Sequence, residues 1–101
     1  MERIYERLTT MKDRPGMYLG KKSLSLLGAY ITGYLDCQYE SDREFVSTFP
    51  EFNDFIHEYY NISTCQDWVK IIIFHFSTDE DAVDRFYKLL DMFMDKKNLK
   101  N

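Results

Sequence analysis

Glycine is scarce in this chain, and its four copies (Gly16, Gly20, Gly28 and Gly33) all fall in the first third of 101 residues. No glycine-rich phosphate loop can therefore form beyond that point. Two prolines, two cysteines and two histidines leave little room for a disulfide framework or a metal-ligand pattern, and Cys37 and Cys65 have no ligand spacing around them. Long apolar runs are also missing. The longest, Ile71-Ile72-Ile73-Phe74, is four residues, far short of a membrane span. The opening MERIYERL is charged and amphipathic, unlike a signal peptide, so a cytoplasmic location is expected. Asn61-Ile62-Ser63 fits a glycosylation sequon, which carries no weight without a secretory signal.

What the chain has in quantity is aromatic side chains and acid. Eight Tyr, eight Phe and one Trp make 17% of the residues, enough for a small core because each ring buries a large area. The net charge of −4 is uneven. Residues 1–22 carry six basic against three acidic groups, whereas residues 23–101 carry fourteen acids against seven bases. That larger part repels phosphate backbones and argues against general nucleic-acid binding. A basic protein partner would be attracted.

Helical periodicity runs through the chain. Glu2 to Lys12 spaces Ile4, Leu8 and Met11 on one face, and Arg14-Pro15 ends that helix. Pro15-Gly16 suits a type II turn with Gly16 at positive φ, after which Met17, Tyr18 and Leu19 tuck against the core. Ser23 caps a helix to about Tyr39 whose stripe is Leu24, Leu27, Ile31, Tyr34 and Leu35. Gly28 and Gly33 inside it admit another helix at close range. Residues 40–47 connect to a capping box, Thr48-Phe49-Pro50-Glu51, opening a helix with Phe52, Phe55, Ile56, Tyr59 and Tyr60 on one side. Asn61 to Gln66 is a loop.

Residues 67–76 carry strong β-propensity, yet Thr64-Cys65-Gln66-Asp67 resembles a capping box and Trp68, Ile71, Ile72 and His75 are helically spaced. No partner strand exists elsewhere, so helix is expected, an α+β fold being the alternative if 69–76 is a strand. Ser77-Thr78-Asp79-Glu80-Asp81 then starts the clearest helix, with Ala82, Val83, Phe86, Leu89, Leu90, Phe93 and Met94 on one face. The expected fold is an all-α, single-domain bundle of about five helices over residues 1–101, with a fraying tail from about residue 95.

Chemistry-bearing groups are few. His57 reads as a boundary residue, and His75 as a partly buried, hydrogen-bonded imidazole. No carboxylate falls at i+3 or i+4 from His75 except Asp79, beyond a helix break, and neither Cys has a His nearby in sequence. No catalytic residue, cofactor or metal is expected. The acids Asp36, Glu40, Asp42, Glu44, Glu51, Asp54 and Glu58, with Tyr30, Tyr34, Tyr39, Tyr59 and Tyr60 among them, are what a protein-binding surface needs: charge for steering and rings for anchoring. The bland counterpart is a solvated face that keeps an aromatic-rich chain in solution.

Arg14-Pro15-Gly16-Met17-Tyr18-Leu19-Gly20 resembles the loop after the first helix of type II topoisomerase B-subunit ATPase domains. The chain has no DxGxG and none of the glycine-rich lid motifs that ATPase needs, so this local match is read as coincidence. More broadly the chain resembles a set of small bacterial immunity proteins of polymorphic toxins. The matching positions are Met11 to Gly20; Ser23-Leu24 through Leu27 with Tyr30, Ile31, Gly33 and Tyr34; Phe52-Asn53-Asp54-Phe55-Ile56 with Tyr59; Trp68 with Ile71-Ile72; and Asp79-Glu80-Asp81-Ala82 with Phe86. The likeness spans about residues 8–94, but outside RPGMYLG it rests on single spaced positions. It implies a helical protein that binds and occludes a cognate toxin domain. A nuclease toxin, with its basic surface, would suit Asp36, Glu40, Asp42, Glu44, Asp54 and Glu58, with Tyr39 and Tyr60 as anchors. Two other readings stay open: a helical adaptor without a toxin partner, and a small enzyme or ligand-binding domain with a pocket around His75, Trp68 or Cys65.

Overall fold

The computed structural model describes residues 1–76 and 78–100. Ser77, expected in the start of the last helix, and Asn101, in the expected tail, lie outside the described residues. Among the described residues six helices follow in order: α1 Arg3–Met11, α2 Pro15–Leu19, α3 Leu24–Ser41, α4 Glu51–Tyr59, α5 Trp68–Phe74 and α6 Asp79–Lys96. Among the described residues there is no strand, so 69–76 is not one. α6 packs against α3, α4 and α5, while α1 and α2 pack on each other and on α3.

The helix beyond the five expected is α2, which replaces the turn. Pro15 sits at its first position, Arg14 is held out of the helical region, and Gly16 has no positive φ. The left-handed residue is Gly20 (φ 84°), whose N–H bonds the Gly16 carbonyl and closes the short helix. Met17 does not tuck in and is 72% exposed; Tyr18 and Leu19 are the ones that pack on the core.

Several helix ends are satisfied by groups distant in sequence. Ser23 caps α3 as expected, accepting from the Leu26 N–H, but Asp79 of α6 does more. Its carboxylate accepts from the Leu24 N–H at 2.8 Å, the Ser25 N–H at 3.1 Å and the Ser23 hydroxyl. Before α4, the expected Thr48–Glu51 capping box is absent and Pro50 is the N-cap. Glu2 accepts instead from the Thr48 N–H (3.1 Å) and Thr48 Oγ1 (2.8 Å), while the Tyr5 hydroxyl donates to Thr48 Oγ1 at 2.7 Å. Burial pushes Tyr5 up to about 12. The Thr64 box fails likewise: Asp67 caps α5, accepting from the Lys70 N–H.

The C-termini of α4 and α6 share one device. Asn61 (φ 54°) and Asn98 (φ 56°) adopt the left-handed conformation. Ile62 N–H then returns to the His57 carbonyl, and Leu99 N–H to the Met94 carbonyl, as Schellman closures. The tail is therefore tied back over the described residues. Leu99 packs on the core, and Lys100 pairs with Asp91 and Asp95.

The core is a chain of rings. Phe52 stands edge-on to Trp68, Phe86 and Phe93, with centroids at 5.3, 5.5 and 5.4 Å, and is tilted against Phe49 at 5.4 Å. Tyr5, Phe49 and Tyr87 are buried too, beyond the expected stripes. The Tyr87 hydroxyl donates to the Leu8 carbonyl at 2.8 Å, and its burial raises its pKa.

Gly28 admits α5: a Cβ there would stand 2.7 Å from Val69 Cγ2, whereas at Gly33 nothing lies within 4 Å. Gly33→Ala should therefore stabilise the fold by about 0.5–1 kcal/mol in urea denaturation, through helix propensity. Gly28→Ala should gain the same propensity but cost about 1–3 kcal/mol in overpacking, a net loss that Val69→Ala relieves. A Gly28→Ala protein more stable than the parent would refute that helix contact.

Candidate partner-binding surface

The eight expected partner-binding residues fall into two groups. Asp36, Tyr39 and Glu40 lie on the last turns of α3, with Asp42 and Glu44 just beyond; Asp54 and Glu58 lie on α4, with Tyr60 at its end. Among the described residues, no hydrogen bond, ion pair or ring contact joins residues 36–44 to residues 54–60.

In the first group, Arg43 partly neutralises its own neighbours. Its guanidinium lies 3.4 Å from Glu40 and 5.0 Å above the Tyr39 ring. Asp42 turns back to accept from the Glu44 N–H at 3.1 Å. In the second, Glu58 meets Lys96 at the lysine-bearing end of α6, and Glu51, outside the group at the start of α4, meets Lys97, each at 3.4 Å. These are exposed pairs, worth at most about 1 kcal/mol apiece. Asp54 lines the small groove between them with Phe55 and has no ion-pair partner among the described residues.

Tyr60 leads to a feature that the sequence reading missed. Its ring stacks on His75 at 4.1 Å, touches Tyr59 at 4.9 Å, and its hydroxyl pKa is raised by burial. Tyr59 continues to Phe55 at 6.3 Å, and His75 to Phe74 at 5.4 Å. Phe74 is 82% exposed, Tyr59 44% and Met92 46%. Met92 shares a groove with Phe55, Glu58, Tyr59 and Lys96. The ends of α4 and α5 thus present one run of exposed and half-buried rings, with Met92 of α6 beside it. Phe74 was legible in principle: once 68–74 is a helix, the stripe 68, 71, 72 leaves it about 100° to one side.

His75 is exposed, not partly buried, and terminates α5 with its Nδ1 at 2.8 Å from the Ile71 carbonyl. His57 ties α4 to the following loop, with Nδ1 2.8 Å from the Asn53 carbonyl and Nε2 3.0 Å from the Thr64 carbonyl. Trp68 is packed in the ring core, and the groove along its outer edge contains no His or Cys. Cys37 and Cys65 are exposed free thiols. Among the described residues, no group of three or more His, Cys, Asp or Glu could hold a metal, and no helix is long and apolar enough to cross a membrane.

No protein-family model, curated protein or solved structure matches this chain. Fold and surface together define a small all-α domain with acidic tracts and an exposed aromatic face.

Proposed function

We propose that this chain is an immunity protein, which binds a cognate bacterial toxin domain and occludes its active site. The observation that supports a binding role best is the contiguous face of Tyr59, Tyr60, His75, Phe74 and Met92, bordered by Asp54 and Glu58. Phe74 leaves most of its ring in solvent, touching only His75 among the aromatic rings of the described residues, so it contributes little to the isolated domain. At an interface, desolvated rings of this kind supply most of the binding energy. Acids at the border would accelerate approach of a basic toxin such as a nuclease. The choice of immunity over a general adaptor rests on the family resemblance drawn from the sequence.

A tagged pull-down from the native organism should recover a fragment that is lethal in a host unless this chain is co-expressed. Phe74→Ala should weaken that complex at least about tenfold, with little change in Tm because the ring is exposed. Reversing Asp54 and Glu58, or separately Asp42 and Glu44, would assign the electrostatic contribution to one of the two acidic groups. A recovered partner that is harmless when expressed by itself would sink the immunity reading and leave the adaptor. Unchanged affinity on Phe74→Ala would remove the aromatic face.

A further inference from the structure

Arg3 and Arg7 stand one turn apart on the same face of α1. In a chain with 17 acidic residues, neither has a carboxylate partner among the described residues, and Arg3 has no hydrogen bond either. Arg7 is held by tyrosines. Its Nε donates to the Tyr30 hydroxyl at 3.3 Å, an interaction that raises its pKa, and its guanidinium lies 5.5 Å from the Tyr18 ring centre. Tyr30 stacks on Tyr34 at 6.2 Å. Tyr34 in turn lines an open groove of about 460 Å³ with Arg3, Cys37, Gln38, Asp42 and Phe45. That volume lies within the range of small-ligand sites.

The groove thus combines two aromatic side chains, an unpaired guanidinium, an amide and a carboxylate. Gln38 Oε1 is the one buried side-chain polar atom without a partner among the described residues. Rotation about the last torsion of that side chain exchanges which end of the amide faces outward, so Gln38 can offer either a donor or an acceptor.

We propose that the groove between α1 and the end of α3 binds a nucleoside monophosphate. The base stacks on Tyr34 and Phe45, as bases do on aromatic side chains elsewhere. Its amino-bearing edge meets the Asp42 carboxylate and the Gln38 amide, which favours guanine or cytosine over uracil. Arg3 takes the phosphate in the forked geometry that guanidinium offers, and Arg7 adds charge one turn away. A single phosphate suits the +3 balance of residues 1–22, whereas a polymer would also meet the −7 balance of the rest. The site shares no residue with the face of Tyr59, Phe74 and Met92; Asp42, which also belongs to the first acidic group, is its one overlap with the toxin-binding reading, so the Arg3 variant separates the two.

The test is an NMR titration of the full chain with GMP, CMP, UMP, guanosine and inorganic phosphate, each to about 10 mM. GMP or CMP should give saturable shifts confined to residues 3–7, 34–45 and the Gln38 side-chain amide. Guanosine, phosphate and UMP should bind at least about tenfold more weakly. Arg3→Glu should abolish binding of GMP with Tm unchanged, since Arg3 is exposed; Asp42→Asn should erase the preference over UMP. Absence of saturable shifts, shifts centred on Tyr59 and Phe74, or phosphate binding as tightly as GMP would each overturn the proposal.

Discussion

Phe52→Ala should cost about 3–5 kcal/mol, the largest single effect expected in this chain. Phe52 is fully buried and touches five other rings, from Phe49 and Phe55 to Trp68, Phe86 and Phe93. These come from the loop before α4, from α4 itself, and from α5 and α6, so the cavity opens where the helices converge. Edge-to-face partners cannot collapse into the space without losing their own geometry, each such pair adding about 0.5–1.5 kcal/mol beyond area. A domain of this size holds about 5–15 kcal/mol in total, so the variant should melt at least about 12 °C lower or fail to fold. Calorimetry beside Phe74→Ala is the check, because that ring is exposed and its loss should leave Tm nearly unchanged. A loss below about 1 kcal/mol at Phe52 would show that the core is not centred there.

The second large effect is expected at Asp79. One carboxylate serves the Leu24 and Ser25 N–H groups and the buried Ser23 hydroxyl, anchoring the start of α6 to the start of α3. Hydrogen bonds to a charged acceptor are worth about 1.5–3 kcal/mol, and the negative charge also suits the positive end of α3. Asp79→Ala should destabilise by about 2–3 kcal/mol, since it leaves these donors without their acceptor. Asp79→Asn should recover part of that, keeping an acceptor without the charge. Thr78→Ala, which removes only the local cap of α6, should cost about 1 kcal/mol. Equal losses at positions 78 and 79 in urea titrations would show that the link between α3 and α6 contributes nothing beyond an ordinary cap.

Asp79 also illustrates what the sequence conceals. Read along the chain, Thr78-Asp79-Glu80-Asp81 is a cap followed by acids suited to their own helix, which is correct but incomplete. Its link to Ser23 crosses more than fifty residues, and no local pattern encodes it. Glu2 is the same case. It caps the segment before α4 from the far end of α1, so the Thr48 capping box was a sound local inference that tertiary proximity overrode. The segment 67–76 went the other way: β-propensity pointed to a strand, while the Trp68-Ile71-Ile72 spacing and the lack of any partner strand pointed to the helix that is found. At Pro15-Gly16 the expected type II turn is not found, since proline at a first helical position is as favourable as at a turn corner and a short helix forms instead.

The proposed surface divides along the same line. Its acids and tyrosines were countable in the sequence, but whether Asp36, Tyr39, Glu40, Asp42 and Glu44 share a patch with Asp54, Glu58 and Tyr60 depends on the angles between helices. The continuous run from Phe55 through Tyr59, Tyr60 and His75 to Phe74 is assembled from two helices separated by a loop, with Met92 from a third beside it.

By itself the sequence determined helix content, most core positions and the absence of long apolar runs, because these follow from spacings within about four residues along one helix. Tertiary structure decided the distant caps, the joining of Phe74 to Tyr59 and Tyr60 in one face, and the groove beside Arg3. Each of these depends on side chains from separate elements meeting in space, and one-dimensional periodicity carries no information about where two helices cross.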